Sequence, residues 1–163
     1  MVERCVRDAE VTGSNPAAPT IAWKAVSSNV FSRFNPAAKR VLRTAEQACR
    51  NDNHYYVGVE HLLCALLEER DPELEARLAR AGIARESVYS AVRQALGTGD
   101  DRLWEGILIT PRVRRVVRIA GEAAGARDEV TPLHLFDAIV SEGGSAAADI
   151  VRQAARDVSG AAG

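Results

Sequence analysis

From Asn35 onward, apolar side chains recur every three or four residues, the spacing that places them on one face of an α-helix. In the first half of the chain this pattern predicts four helices, spanning residues 35–51, 59–69, 73–81 and 85–96. Asn35-Pro36 favours a helix start, because the asparagine side chain can accept a hydrogen bond from a free amide and proline has no N–H to leave unpaired.

The second half of the chain repeats the first. Thr110-Pro111 is another favourable helix start, and Pro111 follows Pro36 by 75 residues, while His134 follows His61 by 73 residues. A unit of about 60–70 residues buries too little surface to be stable alone, whereas two such units can share a core. We therefore expect an all-α fold of two tandem four-helix repeats, packed as one pseudo-two-fold-symmetric domain.

This duplication divides the chain into five parts. The repeats are predicted at residues 31–96 and 110–158, joined by a glycine- and acid-rich linker at 97–109, and residues 159–163 are expected to form a disordered tail. Residues 1–30 lack helical or strand periodicity and contain GSNPAAP, a cluster of chain-breaking residues. They are either disordered or an extension produced by a start codon assigned too far upstream.

Composition restricts the function classes. The chain is 47% hydrophobic with a formal net charge of −1, so it has no overall charge that favours nucleic acid or an anionic membrane. No apolar run approaches the roughly 20 residues that a membrane-spanning helix needs. Three widely spaced cysteines do not suggest a disulfide framework, and we expect a cytoplasmic protein.

Catalytic and metal-binding signals are weak. His61 and His134 each precede an apolar helical face without other ligands at useful spacing, so we predict structural histidines, and we expect no metal or other cofactor. Pro36 and Pro111 are assigned structural roles at helix starts. No GxxxxGK[ST] phosphate loop occurs, and no nucleophile, base and orienting group can be assembled, which predicts a protein that is not an enzyme.

Several phrases resemble the Clp N-terminal repeat domain that heads Clp unfoldase chaperones, most closely its ClpC-type branch. They are Phe31-Ser32-Arg33-Phe34, the run from Val57 to Leu63, Ile109-Thr110-Pro111-Arg112, and the second His-Leu pair. ClpC-type chains commonly begin directly before that phenylalanine, which would make Val30 the native start. The resemblance implies docking of substrates or adaptors of a Clp-type AAA+ unfoldase, here as a free-standing domain or a fragment. From the charge balance and the short apolar runs we expect no membrane partner and do not favour a nucleic-acid partner.

The resemblance also implies a binding site. In ClpC-type domains an acid at the position of Glu60 helps to hold the guanidinium of a phosphoarginine-marked substrate, and helix-start amides or a nearby arginine receive the phosphate. We expect Glu60, Asn35, Val59 and Arg112 to contribute to substrate or adaptor binding. The second repeat carries Leu133 where the first has Glu60, so at most one of two such pockets is retained.

Two alternatives remain open. Arg112, Arg114, Arg115 and Arg118 form a basic helix face, which is compatible with a nucleic-acid-linked or stress regulatory protein. The other alternative is a decoy, which either competes with a full-length unfoldase or sequesters small molecules that target Clp proteins.

Overall fold

The computed structural model describes residues 31–99, 107–126 and 128–161. Within these ranges the chain forms seven α-helices and two short strands. In chain order they are α1 (Pro36–Asn51), β1 (Tyr56–Val57), α2 (Val59–Glu69), α3 (Pro72–Arg80), α4 (Arg85–Leu96), β2 (Leu108–Ile109), α5 (Pro111–Ala123), α6 (Pro132–Glu142) and α7 (Ala146–Ala161). The predicted all-α class is confirmed. Residues 1–30 and most of the predicted linker lie outside the described residues.

Helices α1 and α2 pack together in the first unit (α1–α4), as α5 and α6 do in the second unit (α5–α7), and α2 also contacts α6. Every residue from His61 to Leu67 is buried. A helix that is buried on all sides must lie in the centre of a fold, which explains why α2 lacks a polar face. Leu135 and Ile139 of α6 are also fully buried, and both units contribute to one core.

The two units are joined by crossed backbone pairing. At the first junction, β1 and β2 form a parallel pair that places Val57 beside Ile109, and the Thr110 amide donates to the Val57 carbonyl at 3.2 Å. At the second junction, Phe34 bridges to Val130, and the Asn35 amide donates to the Val130 carbonyl at 3.0 Å. The first helix of each unit is thereby tied to the second helix of the other.

Side-chain capping follows the same symmetry. Asn35 accepts a hydrogen bond from the Ala38 amide at 2.7 Å, and Thr110 accepts one from the Val113 amide at 3.3 Å. Pro36 and Pro111 occupy the first positions of α1 and α5. Both helix starts are therefore built as their sequences predict.

The second unit differs from the expected four-helix repeat, because residues 110–161 contain three helices. In the first unit, Gly82 adopts a positive φ of 67° and separates α3 from α4. The second unit has no glycine or proline between Ala146 and Ser159, so α7 continues without a break and extends to Ala161. Residues 159–161, expected in a disordered tail, are helical. Among the described residues, no helix is both long and apolar enough to cross a bilayer.

Removal of either cap provides a test of this architecture. Asn35→Ala and Thr110→Ala should each lower the free energy of unfolding by about 1 kcal/mol, because each leaves a helix-start amide without its side-chain acceptor. Urea denaturation monitored by circular dichroism measures the loss. Ser159→Ala, near the end of α7, serves as a control that should change stability little. Unchanged stability in both cap variants would contradict the assigned capping roles.

Candidate functional site

The side chains of His61 and His134 help to cap the N-termini of α2 and α6. His61 Nδ1 accepts a hydrogen bond from the Gly58 amide at 3.1 Å, and His134 Nδ1 accepts one from the Thr131 amide at 3.1 Å. Each therefore satisfies a backbone donor just before its helix. These contacts give both histidines a local structural role.

His61 also belongs to a small polar cluster with His54 and Asp52, whose candidate ligand atoms lie within 4.8 Å of one another. Its Nδ1 accepts from Gly58, so the ring proton resides on Nε2 and is donated to His54 Nδ1 at 2.9 Å. Metal binding would need the Nε2 lone pair, and a metal-bound histidine normally donates its other N–H. Because Asp52 is also held by Arg93 at 2.5 Å, the donor arrangement opposes a metal.

Burial favours the uncharged forms of His61, Cys49 and Cys64. Desolvation, followed by repulsion from His54, lowers the pKa of His61 to about 4. Desolvation raises the pKa of the Cys49 thiol to about 11 and that of the Cys64 thiol to about 12. Both cysteines are buried and reduced, so neither has the exposed thiolate that a nucleophile requires.

Glu60 lies at the first junction, in the first turn of α2. Its carboxylate accepts a hydrogen bond from the Ala147 amide at 3.4 Å and therefore faces the start of α7 in the other unit. Among the described residues, no cationic side chain forms an ion pair with Glu60. The carboxylate is half-buried and retains free acceptor capacity.

Arg112 reaches the same α6–α7 connection from the start of α5. A side chain at Gly144 would collide with the Arg112 guanidinium, so the two lie in direct contact. Arg112 Nη1 is 3.4 Å from the carboxylate of Glu142, and Arg115 Nη1 is 3.9 Å from it. The Glu142 side chain is only 4% exposed, and it also accepts from the Gly144 amide at 3.2 Å.

These groups line an open cavity of about 390 Å³, bounded by Thr110, Pro111, Arg112, Arg115 and Glu142. Two guanidinium groups share one carboxylate there, which leaves one positive charge without a partner. The unpaired carboxylate of Glu60 lies at the other end of the same connecting segment, against Ala147. The Glu60 carboxylate and an arginine pair with one excess positive charge thus both lie against one short stretch of backbone, residues 143–147.

The second junction lacks both charged features. Its counterpart of Arg112 is Ala37 and its counterpart of Glu60 is Leu133, by the 75- and 73-residue spacings of the duplication. Only the supporting ion pair recurs: Arg40 lies 2.5 Å from Glu69, in the positions that correspond to Arg115 and Glu142. The 75- and 73-residue spacings alone reveal that this pair is repeated.

The other two residues predicted for binding lie elsewhere. Asn35 belongs to the second junction, where its side chain is engaged in capping α1. The Val59 side chain is 2% exposed and belongs to the core. Of the four predicted binding residues, Glu60 and Arg112 are the two that contact the segment 143–147, Glu60 at Ala147 and Arg112 at Gly144.

Most arginines of the basic face on α5 form ion pairs within the domain. Arg112 and Arg115 pair with Glu142, and Arg118 lies 2.6 Å from Glu122. Arg114 alone of the four arginines has no ion-pair partner among the residues that the structure describes. One unpaired arginine is a weak basis for binding nucleic acid, which relies on several phosphate contacts.

The sequence pattern of the Clp repeat (R) N-terminal domain matches residues 33–154. The chain belongs to this family. It is 31% identical over 106 residues to the ATP-dependent Clp protease ATP-binding subunit ClpC of Staphylococcus aureus, covering 64% of this chain and 12% of that protein. It is 27% identical over 165 residues to the chloroplastic ClpA homolog CD4B of Solanum lycopersicum, covering 97% of this chain and 18% of that protein.

Solved structures show the same fold. The N-domain of ClpV from Vibrio cholerae matches with a TM-score of 0.61 and 18% identity, over 80% of this chain and 76% of that one. The N-terminal domain of ClpD from Arabidopsis thaliana matches with a TM-score of 0.56 and 19% identity, over 76% of this Clp N domain and 87% of that one. Clp N domains are adaptor- and substrate-binding modules of Clp ATPases.

The lowered pKa of His61 predicts acid sensitivity. Between about pH 6.5 and pH 4 the unfolded chain binds a proton at His61 that the folded domain does not. The free energy of unfolding should therefore fall as the pH falls through this window, by at most about 1.4 kcal/mol per pH unit from this one proton. Urea denaturation at a series of pH values measures the slope.

His61→Asn should flatten that slope, because it removes the group that titrates. His134→Asn is the matched control, since it removes the equivalent cap in the second unit and leaves His61 in place. If H61N and the wild type keep the same slope from pH 6.5 to pH 4, the acid sensitivity does not arise from His61.

Proposed function

We propose that this Clp N domain is a non-enzymatic protein-binding module that recognises a phosphorylated arginine side chain on substrates or adaptors of a Clp-type AAA+ ATPase. The observation that carries the proposal is the arrangement at the first junction. An unpaired carboxylate, Glu60, and an arginine pair with excess positive charge, Arg112 and Arg115, lie against one backbone segment.

Phosphoarginine carries both charges that such a site matches. Its guanidinium group can donate paired N–H bonds to a carboxylate, and its phosphate can accept paired N–H bonds from an arginine. Arg112 is exposed and 3.4 Å from Glu142, a separation longer than that of a strong charge-assisted bond, so it can exchange this contact for a phosphate. Arg115 would remain to neutralise the buried Glu142.

The second junction does not support the same interaction. Leu133 has no acceptor for a guanidinium group, and Ala37 has no donor for a phosphate. We therefore propose one phosphoarginine site in each chain. The domain would deliver a bound protein to a Clp ATPase or compete with the N domain of that ATPase for it.

The chain spans only 12–18% of the length of the relatives from Staphylococcus aureus and Solanum lycopersicum. Those relatives are named as ATP-binding subunits and Clp protease components. A recognition role that precedes ATP-driven unfolding suits a domain whose charged groups form a binding site rather than a catalytic one.

Binding of a fluorescent phosphoarginine peptide tests the proposal, with the unphosphorylated peptide as reference. Glu60→Gln and Arg112→Ala should each weaken binding by about 10- to 100-fold, because each removes a charge-assisted hydrogen bond. Glu73→Gln is the matched control: Glu73 is an exposed acid in the first turn of α3, remote from both junctions in sequence. If E60Q binds the phosphorylated peptide as tightly as the wild type, Glu60 is not part of the site.

A further inference from the structure

Exposed large hydrophobic side chains are concentrated at the first junction. Of the four among the described residues, three lie on β1 and β2 or directly beside them: Tyr55 (45% exposed), Tyr56 (41%) and Leu108 (62%). The strand register places Tyr56 beside Leu108, and the rings of Tyr55 and Tyr56 meet edge to face with centroids 5.1 Å apart. We call these three residues the apolar ledge.

The fold itself does not need this ledge. The equivalent positions at the second junction are Arg33, which corresponds to Leu108, and Glu129, which corresponds to Tyr56. The second junction forms its backbone bridge between Phe34 and Val130 although charged residues occupy these neighbouring positions. Apolar side chains at the first junction are therefore a property of that surface rather than a requirement of strand pairing.

The apolar ledge adjoins the proposed binding site through Gly58. The point where a β-carbon on Gly58 would lie is 2.9 Å from Glu60 Oε2 and 3.9 Å from Tyr56 Cε2. The absence of a side chain thus leaves the carboxylate and the aromatic ring as neighbours. His54 stacks against Tyr56, with ring centroids 6.1 Å apart and planes at 21°, and so restricts the orientation of the Tyr56 ring.

We propose that the apolar ledge binds a large apolar side chain located two positions from the phosphoarginine in an extended segment of the partner protein. Side chains two residues apart in an extended chain point to the same side, about 7 Å from each other. When the phosphoarginine side chain points toward Glu60, the residue two positions away points toward the same surface. The domain then selects segments that carry both a phosphoarginine and an apolar residue two positions away. This inference rests on the proposed function.

Two labelled peptides test this selection. Both carry one phosphoarginine, flanked at the −2 and +2 positions by leucine in one peptide and by serine in the other. Wild-type protein should bind the leucine-flanked peptide about tenfold more tightly, because the ledge removes part of a leucine side chain from water. Leu108→Ser and Tyr55→Ser should reduce this preference to about twofold or less, while their affinity for the serine-flanked peptide stays unchanged.

Val158→Ser is the matched control, because Val158 is the fourth exposed hydrophobic residue and lies on α7. It should preserve the tenfold preference. Equal affinity of the wild type for the two peptides, or a preference that persists in both ledge variants, overturns the inference about the ledge.

Glu60→Gln separates this inference from the proposed function. If E60Q weakens the binding of both peptides but the ledge variants do not change the leucine preference, the phosphoarginine site is supported and the ledge proposal fails. If the leucine preference depends on the ledge but E60Q has no effect, the ledge is an apolar peptide site and the phosphoarginine proposal fails. If neither peptide binds the wild type, both proposals are overturned.

Discussion

The crossed backbone pairing at the two junctions is the constraint on which this structure depends. Each unit begins its first helix where the other unit begins its second, through the Thr110–Val57 and Asn35–Val130 hydrogen bonds. Neither unit can complete these starts alone, so the core, the caps and the surface around them are shared. The proposed site follows from this sharing, because Glu60 belongs to the first unit while Arg112 and Ala147 belong to the second.

The duplication is retained at buried and capping positions and is lost at several surface positions around the two junctions. Buried or capping positions recur in matching pairs, such as His61 with His134 and Asn35 with Thr110. Positions that face outward at the junctions differ in charge and polarity, as Glu60 and Leu133 do. Close packing and the need to hydrogen-bond backbone groups restrict the buried and capping residues in both units, whereas outward-facing residues can differ between them.

Local patterns in the sequence were sufficient to predict the fold class and most helix starts. Helical periodicity and the Asn35-Pro36 and Thr110-Pro111 starts depend on neighbouring residues, which a sequence displays directly. The strands at Tyr56 and Leu108 are two residues long and have no period to detect, and their pairing joins residues far apart in the chain. The four-helix repeat predicts a break within the last part of the chain, but α7 is unbroken because this segment lacks the turn glycine of the first unit.

The charged site was predictable only in part. Glu60 was found because it differs from its counterpart Leu133, and that comparison requires sequence alone. The contact of Glu60 with Ala147 and the sharing of Glu142 by two arginines depend on how α6 and α7 meet the starts of α2 and α5. Asn35 and Val59 were also expected to contribute to binding, but Asn35 lies at the second junction and Val59 lies in the core, positions that depend on how the two units pack.

The asymmetry of the two junctions is the central claim, and binding stoichiometry tests it most directly. Isothermal titration calorimetry of the wild-type protein with a phosphoarginine peptide should show one bound peptide per chain, since only the first junction carries both Glu60 and Arg112. Two equivalent sites per chain would show that Leu133 and Ala37 do not prevent binding and would contradict the account.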